Sequence, residues 1–301
     1  TGAGGATSAL CVGGVPPGGQ PNGSASVEEF ISSQPIGAFS SGPNMNTARY
    51  NMSSIGTSTA ALAVGGRAPV KSENEEWNGT AWTEKNDLNS GRHSMSSSGT
   101  TTSGLVSGGE DTAYRNLVEE WNGTCFAVQT AIGTTRGEGG GAGASAEAAL
   151  IYGGASPPGV HALTERWNGS AWTEVADMSQ ARYQVTSGMG RTYDAALCVG
   201  GRTSGTNIVA STEVWNGTSW FEGATLNNGR VMGAGQTGST TSSIVAGGYI
   251  TTAVANNEEF NGISWQETAD LSTVRSGPGG AGADGTSAIV FAGGTPSAVL
   301  T

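Results

Sequence analysis

The segment Ala60-Ala61-Leu62-Ala63-Val64-Gly65-Gly66 is an alternating apolar run that ends in two glycines, and its pattern recurs along the whole chain of 301 residues. The closing diglycine occurs seven times, at Gly13-Gly14, Gly65-Gly66, Gly108-Gly109, Gly153-Gly154, Gly200-Gly201, Gly247-Gly248 and Gly293-Gly294. Successive pairs lie 52, 43, 45, 47, 47 and 46 residues apart. A period in this range indicates stacked supersecondary units, so it predicts a repeat architecture.

Aromatic residues recur in two registers with the same period. The first register holds Phe30, Trp77, Trp121, Trp167, Trp215 and Phe260. The second register holds Phe39, Trp82, Phe126, Trp172, Trp220 and Trp265. Because large aromatic side chains at fixed positions dominate core packing, we expect the tryptophans of the first register to be buried between neighbouring units.

Two further registers carry opposite charges. A glutamate precedes each first aromatic by two residues, at Glu28, Glu75, Glu119, Glu165, Glu213 and Glu258. An arginine follows each second aromatic by ten residues, at Arg49, Arg92, Arg136, Arg182, Arg230 and Arg275. A buried charge persists only when it is paired and hydrogen-bonded, so the strict recurrence favours an architectural pair over a ligand-binding ring.

Each repeat is typical of four short strands. A Gly/Ser-rich run such as 137–143 follows the arginine, and the apolar run, the Glu-x-aromatic segment and the second aromatic segment come after it. Asn-Gly joins the last two segments at 78–79, 122–123, 168–169, 216–217 and 261–262. This dipeptide between two strand-like runs is a strong hairpin signal, and no stretch shows a sustained helical period. The sequence therefore predicts an all-β fold, a β-propeller of four-stranded blades.

The repeat resembles the kelch family in its diglycine, its Glu-x-aromatic, its second aromatic after a hairpin turn and its arginine. This resemblance covers nearly the whole chain and implies the propeller fold. The stretch Glu76-Trp77-Asn78-Gly79-Thr80-Ala81-Trp82-Thr83-Glu84 departs from kelch repeats, which usually carry Tyr-Asp-Pro at this turn. The variant is similar to kelch-like repeats common among proteins of marine bacteriophages, and that similarity implies a virion context.

The number of blades follows from counting segments. The chain has seven copies of the first two segments of a repeat and six of the last two. The early strands of kelch-type propellers lie nearest the axis, so the count predicts seven blades with the last one incomplete; a six-bladed ring with one redundant hairpin is the alternative. Seven blades would need outer strands from flanking sequence, which makes residues 1–301 one propeller domain of a longer chain. The incomplete blade would leave an unpaired edge open to strand addition.

Charge and cysteine content exclude several classes of function. The net charge is −11 and the lysines are two, Lys71 and Lys85, which argues against a nucleic-acid surface. No apolar run approaches the roughly 18 residues that a membrane-spanning helix needs. Cys11 and Cys198 occupy the same slot in two repeats, so we expect these two thiols to be buried, whereas Cys125 stands alone in an outer strand. The odd count and the equivalent positions argue against disulfides.

Catalytic motifs are not visible in the sequence. The histidines are two, His93 and His161, and no Ser-His-Asp or metal-ligand spacing accompanies them. We therefore expect no enzymatic activity, no catalytic residue, no metal site and no cofactor. The Asn-Gly-Thr/Ser triplets match glycosylation acceptors, but hairpin turns explain them better.

Specificity is expected in the segments that differ between repeats. Those between the diglycine and the Glu-x-aromatic hold 13, 8, 9, 10, 11 and 9 residues of unrelated content. We expect them to project from one face together with the blade-to-blade connections, with the Asn-Gly turns on the other face; plain solvated loops are the alternative. Tyrosine and arginine are enriched at binding hot spots. The candidate ligand-binding residues are Arg67, Tyr114, Arg115, His161, Arg202 and Tyr249.

Two classes of function fit these patterns. The first is a non-enzymatic structural or recognition module of a phage particle, in a tail or fibre, located in the virion. Its partners would be other virion or surface proteins, with a receptor glycan as a further candidate ligand. The second is a secreted or cell-surface bacterial propeller that binds a glycan or another protein.

Overall fold

A computed structural model describes residues 11–12, 27–31, 38–235 and 237–294. Within these ranges the secondary structure is β throughout, and no helix that could span a membrane is present there. The strands form a ring of small antiparallel sheets, which is a β-propeller. The predicted fold class is therefore confirmed.

The first strands along the chain are three short ones followed by two complete blades. The first three are β1 (Cys11–Val12), β2 (Val27–Ile31) and β3 (Ala38–Gly42). Blade 1 contains β4 (Ser53–Thr57), β5 (Ala60–Gly66), β6 (Lys71–Trp77) and β7 (Trp82–Lys85). Blade 2 contains β8 (Ser96–Gly99), β9 (Gly104–Ser107), β10 (Val118–Trp121) and β11 (Phe126–Gln129). Each blade is a meander of antiparallel neighbours, as the spacing of one repeat predicts.

Blades 3 and 4 carry an extra two-stranded ribbon in the loop after the diglycine. Blade 3 contains β12 (Gly140–Ser145), β13 (Ala148–Tyr152), β16 (Thr164–Trp167) and β17 (Trp172–Glu174), with the ribbon β14 (Ala155–Ser156) and β15 (Gly159–Val160). Blade 4 contains β18 (Ser187–Thr192), β19 (Ala195–Val199), β22 (Thr212–Trp215) and β23 (Trp220–Glu222), with the ribbon β20 (Arg202–Ser204) and β21 (Asn207–Ile208).

Blade 5 is a three-stranded sheet in the described residues. It contains β24 (Ser243–Ala246), β25 (Asn257–Phe260) and β26 (Trp265–Thr268). An isolated bridge between Gly238 and Ser243 stands where the other blades have their first strand.

Blade 6 is built from both ends of the described chain. The last hairpin, β27 (Gly279–Asp284) and β28 (Ser287–Phe291), pairs with β2, and β3 and β1 follow in the same sheet. Glu28 lies opposite Val290 in the antiparallel register. The described residues thus form six sheets of three or more strands, which agrees with the alternative of six blades. The described residues do not form the seven blades that the segment count predicts. The outer strands of the last repeat come from the beginning of the chain rather than from flanking sequence. The prediction of an unpaired edge in the last blade is wrong for the same reason, because β28 pairs with β2.

The first strands of the blades lie around the axis, as expected. Neighbouring first strands contact one another in the order β4, β8, β12 and β18, and β27 contacts both β24 and β4. These strands are rich in glycine, serine and alanine. Small side chains allow six blades to approach closely at the centre.

The tryptophans of the first register are buried between blades, which confirms that prediction. Trp121 is 1 % exposed and packs against Leu62 and Val64 of the preceding blade. Trp167 packs in the same way against Leu105. The indole Nε1 of Trp121 donates to the carbonyl oxygen of Thr101 at 2.8 Å, so the one polar atom of the ring is satisfied. Trp77, Trp167 and Trp215 make the equivalent bond in their own blades.

The repeated charges form buried ion pairs in blades 1 to 5. Five pairs are present: Arg49–Glu75, Arg92–Glu119, Arg136–Glu165, Arg182–Glu213 and Arg230–Glu258. The second carboxylate oxygen accepts a backbone N–H from the preceding blade-to-blade connection, for example from Asn89 to Glu119 at 2.8 Å. The predicted architectural pair is confirmed for these five; the side chain of Glu28 lies outside the described part. Each pair fixes the path by which the chain enters a blade.

The recurrence of glycine at the end of each apolar run has a steric reason. Gly108 has φ of +68°, and a Cβ there would lie 2.2 Å from the carbonyl oxygen of Arg136 in the next blade. The following Gly109 donates its N–H to that same oxygen at 3.0 Å. In the last repeat the two left-handed residues are Ala292 and Gly293, so this repeat is shifted by one residue from its sequence register.

The Asn-Gly hairpins differ in one detail from the expected turn. The N–H of Asn78 donates to the carbonyl oxygen of Ala81, which places Gly79 and Thr80 at the centre of the turn. Gly79 has a positive φ of 91° whereas Asn78 does not. Asn78 instead uses its Oδ1 to accept the N–H groups of Thr80 and Ala81. Asparagine is thus selected for its side-chain acceptor rather than for a left-handed backbone.

Candidate functional site

The variable loops gather at one end of the propeller axis, called the loop face here. It carries the segments 67–70, 110–117, 155–163, 202–211 and 249–256. In each blade the first residue after the diglycine pairs with the residue that follows the repeated arginine. These bridges are Arg67 with Tyr50, Glu110 with His93, Ala155 with Gly137, Arg202 with Tyr183 and Tyr249 with Val231. The loops therefore surround the axis at the end where the chain enters each blade.

The blade-to-blade connections lie at the same end. Arg92 donates its N–H to the carbonyl oxygen of Lys71, and Leu88 donates to that of Ser72. The Asn-Gly turns lie at the opposite end, called the turn face here, where Gly79 approaches Thr59 at the tip of the inner hairpin. This division of the two faces agrees with the sequence expectation.

A ring of six residues surrounds the axis at the loop face. Each stands two positions after a repeated arginine and has a positive φ between 50° and 63°: Asn51, Ser94, Glu138, Gln184, Met232 and Gly277. Backbone hydrogen bonds link neighbours around the axis, from Ser94 to Asn51, Glu138 to Ser94, Met232 to Gln184, Gly277 to Met232 and Asn51 to Gly277. The last of these closes the ring between blades 6 and 1. Between Gln184 and Glu138 the link is a side-chain hydrogen bond, so each member is bonded to the members in both neighbouring blades.

An axial cavity of about 110 Å³ lies inside this ring. Its wall contains the six ring residues together with serine and threonine side chains of the first strands and the apolar Met52, Met95 and Val185. Gly277 is buried, but the side chains of the other five ring residues are half-buried, so the cavity is reached from the loop face. Concave sites that mix apolar surface with a few fixed polar groups are the usual form of a ligand pocket.

Glu138 is the charged residue of this wall. Its Oε1 accepts Gln184 Nε2 at 3.0 Å, and its Oε2 lies 3.4 Å from the hydroxyl of Tyr114. Burial raises the pKa of Glu138, and the nearby carboxylate of Glu110 raises it further, while the bonds from Gln184 and Tyr114 and the charge of Arg202 act in the opposite direction. Burial and Glu138 likewise raise the pKa of Tyr114.

Three of the predicted site residues lie around the mouth of the cavity. Tyr114 reaches Glu138 as described, and the guanidinium of Arg202 stands 5.9 Å from the ring centre of Tyr249. Arg202 also donates Nη1 to the carbonyl oxygen of Gly205 at 3.1 Å. The structure thus brings Arg202 and Tyr249 together from adjacent blades, as a cation–π pair on the rim.

The other three predicted residues lie in separate loops. Arg67 is exposed on the loop of blade 1. Arg115 is paired with Asp111 of its own loop, with 2.9 Å between Nη2 and Oδ2. The Nε2 of His161 lies 2.9 Å from the hydroxyl oxygen of Ser156 in the ribbon of blade 3. These residues share the loop face but do not form one cluster with the rim pair.

The ring itself was not anticipated from the sequence. Its register is visible, since each member follows a repeated arginine by two positions, but the residue type differs in every repeat. A variable position at fixed distance from an invariant one was the signal that could have found it.

His93, next to the ring, is 2 % exposed, and burial together with Arg67 lowers its pKa to about 4.

Thiols and metal ligands do not form a site in the described part of the chain. Cys198 is fully buried, as expected, and burial raises its pKa to about 12, while Cys125 is exposed and both are free. No group of three or more histidine, cysteine, aspartate or glutamate side chains there could hold a metal ion.

Comparison with known proteins identifies the fold alone. A scan against protein-family models and a search of the curated proteins found no match. Among solved structures the chain is similar to that described as "Structure of YjhT", with a TM-score of 0.65 and 12 % identity over 83 % of this chain and 96 % of that one. YjhT is a propeller, and at this identity the likeness supports the β-propeller architecture and nothing finer.

Proposed function

We propose that the chain is a non-enzymatic recognition module that contacts its partner through the loop face. The supporting observation is that the repeated residues and the residues that differ between blades lie in different parts of the propeller. The repeated aromatics, charges and glycines are buried in the architecture, whereas the residues that differ between blades converge at one end of the axis. Rigid scaffolds that present variable loops are the common design of binding domains.

The particle that would carry this module is proposed from the repeat pattern. The Trp-Asn-Gly-Thr variant of the kelch-like repeat is similar to that of marine phage proteins, so we propose a tail or fibre component of a virion. Its partner would be another virion protein or a receptor on the host surface, with a glycan as one candidate. A secreted or cell-surface bacterial propeller that binds a glycan or a protein is the alternative.

The rim pair gives this proposal its test. Soluble chain added in excess should compete with phage adsorption to host cells if the loop face recognises the receptor. The double variant Arg202→Ala/Tyr249→Ala should weaken this competition by about tenfold or more, since hot-spot residues carry most of the binding energy. Thr80→Ala on the turn face is the matched control, because Thr80 is exposed in an Asn-Gly turn at the opposite end of the propeller. Equal loss in both variants, or loss in the control alone, would refute recognition through the loop face.

A further inference from the structure

Two hydroxyl groups in the wall of the axial cavity can act only as acceptors toward a ligand. Ser53 and Thr186 line the cavity, and each donates its hydroxyl hydrogen to a backbone carbonyl, those of Met95 and Val199. A hydroxyl that has donated its hydrogen can only accept further bonds. These two oxygens therefore offer acceptors to anything that enters the cavity.

Gln184 adds a buried acceptor to this wall. Its Nε2 is used by Glu138, and its Oε1 is buried with no hydrogen-bond partner among the described residues. A buried acceptor without a partner is costly, and a ligand that donates to it would remove this cost. The carboxylate of Glu138, across the blade boundary, provides the next acceptor on the same side of the cavity.

The charge of the cavity agrees with its acceptors. Glu138 is the charged residue among the described residues that line it, and neither lysine nor arginine contributes to the wall. Met52, Met95 and Met232 supply soft apolar surface beside these acceptors. Anionic ligands would meet acceptors and a carboxylate, whereas a cation with several N–H donors would satisfy both.

We propose that the axial cavity is a binding site for a small protonated amine, whose ammonium group donates to Glu138 and Gln184 while its alkyl part lies against the methionines. This site is independent of the macromolecular partner proposed for the loop face. A chain that fails to compete for the receptor would leave the amine site intact, and an empty cavity would leave the loop-face proposal intact.

Matched small probes test the proposal in the whole chain. Isothermal titration calorimetry would compare n-butylammonium chloride with n-butanol, sodium butyrate and D-glucose at neutral pH. We expect saturable binding of butylammonium, binding of butanol that is at least about tenfold weaker, and no binding of butyrate. Butanol lacks the charge-assisted hydrogen bond of the ammonium group, and butyrate carries the opposite charge. Glucose or butyrate binding as tightly as butylammonium would overturn the assignment, as would no binding of the amine.

Variants of the two acceptors test where the amine binds. Glu138→Gln keeps the shape and removes the charge, and Gln184→Leu removes the free acceptor; each should weaken butylammonium binding by about tenfold or more. Glu147→Gln, beside Gly169 on the turn face, is the control and should bind as the unchanged protein does. Binding unaffected by either acceptor variant would overturn the proposal.

The pH profile of the unchanged protein provides a readout that needs no variant. Tyr114, Glu110 and Arg202 are the titratable and charged groups that act on Glu138. Burial raises the pKa of Glu138, and its protonation as the pH falls removes the negative charge of the site. Butylammonium binding should therefore weaken as the pH falls, and binding that strengthens at acid pH would contradict the site.

Discussion

Arg92 Nη1 donates to Glu119 Oε1 at 2.5 Å, and both side chains are almost completely buried. The other oxygen of Glu119 accepts the backbone N–H of Asn89 in the connection from the preceding blade. One carboxylate therefore holds both the start of its own blade and the chain that leads into it. The same arrangement recurs in Glu75, Glu165, Glu213 and Glu258.

Removing this charge should destabilise the fold strongly. In Glu119→Gln the amide nitrogen would replace one acceptor oxygen, and Arg92 would stay buried without a counter-charge. We expect the free energy of unfolding to fall by about 3–5 kcal/mol, the range for breaking a buried pair. Urea denaturation measures this change. Glu84→Gln, on an exposed outer-strand position, is the control and should stay within about 0.5 kcal/mol; equal effects would contradict the architectural role.

Trp121, in the same blade as Glu119, should contribute a similar amount to the free energy of unfolding, through packing rather than charge. Trp121→Ala would open a cavity between blades 1 and 2 and leave the carbonyl oxygen of Thr101 without its indole donor. The expected loss of unfolding free energy is about 3–5 kcal/mol. Phe221→Ala removes an aromatic that is 47 % exposed and should cost much less. A Trp121→Ala protein as stable as Phe221→Ala would refute the packing between blades.

Gly108, the first glycine of its pair, should tolerate a side chain poorly. Gly108→Ala would place a methyl group against the carbonyl of Arg136, whereas Gly205→Ala adds one at a similar positive φ of 46° with nothing within 4 Å. Left-handed backbone alone costs an alanine about 1–2 kcal/mol, so this is the expected cost at Gly205. Thermal unfolding of the two variants should show a clearly larger loss at Gly108. Similar losses would mean that conformation, and not the approach of the next blade, explains the diglycine.

Acid should destabilise the protein through His93. Its pKa is about 4 in the folded chain and 6.5 in the unfolded one, so between these values the unfolded chain binds a proton that the folded chain does not. Stability is therefore lost as the pH falls from about 6.5 to about 4, by about 2–4 kcal/mol in total, because a tenfold change in a proton affinity corresponds to about 1.4 kcal/mol. His93→Gln should lose less stability over this range when urea denaturation is followed against pH. Identical pH profiles for the two proteins would exclude this assignment.

The parts of the fold that could be predicted from sequence are those that repeat. Trp121, Glu119 and Gly108 each stand in a register of fixed period. The residues of such a register are buried in the same way in successive blades. Closure of the ring was not predictable from the same pattern, because the pairing of Glu28 with Val290 joins segments far apart in sequence. Counting segments suggested seven blades, since the pattern does not show which end of the chain completes the last sheet.

The site was only partly predictable for a related reason. Arg202 and Tyr249 stand out as polar and aromatic residues in variable loops, and the structure places them together. Glu138 and Gln184 follow repeated arginines in a Gly/Ser-rich part of the repeat, and neither residue alone marks a site. Their chemistry arises because the left-handed backbone at each position turns the side chains of adjacent blades toward one axis.

Hydroxyl-radical footprinting tests the central claim, that partners are bound at the loop face, most directly. The rates of side-chain oxidation would be compared between the free chain and the chain assembled in its particle or bound to receptor-bearing cells. Tyr249 and Tyr114 report on the loop face, and Ile263, which is 84 % exposed in an Asn-Gly turn, reports on the turn face. The account predicts that the two tyrosines are protected by the partner while Ile263 is oxidised as in the free chain. Protection of Ile263 with both tyrosines unchanged would contradict it.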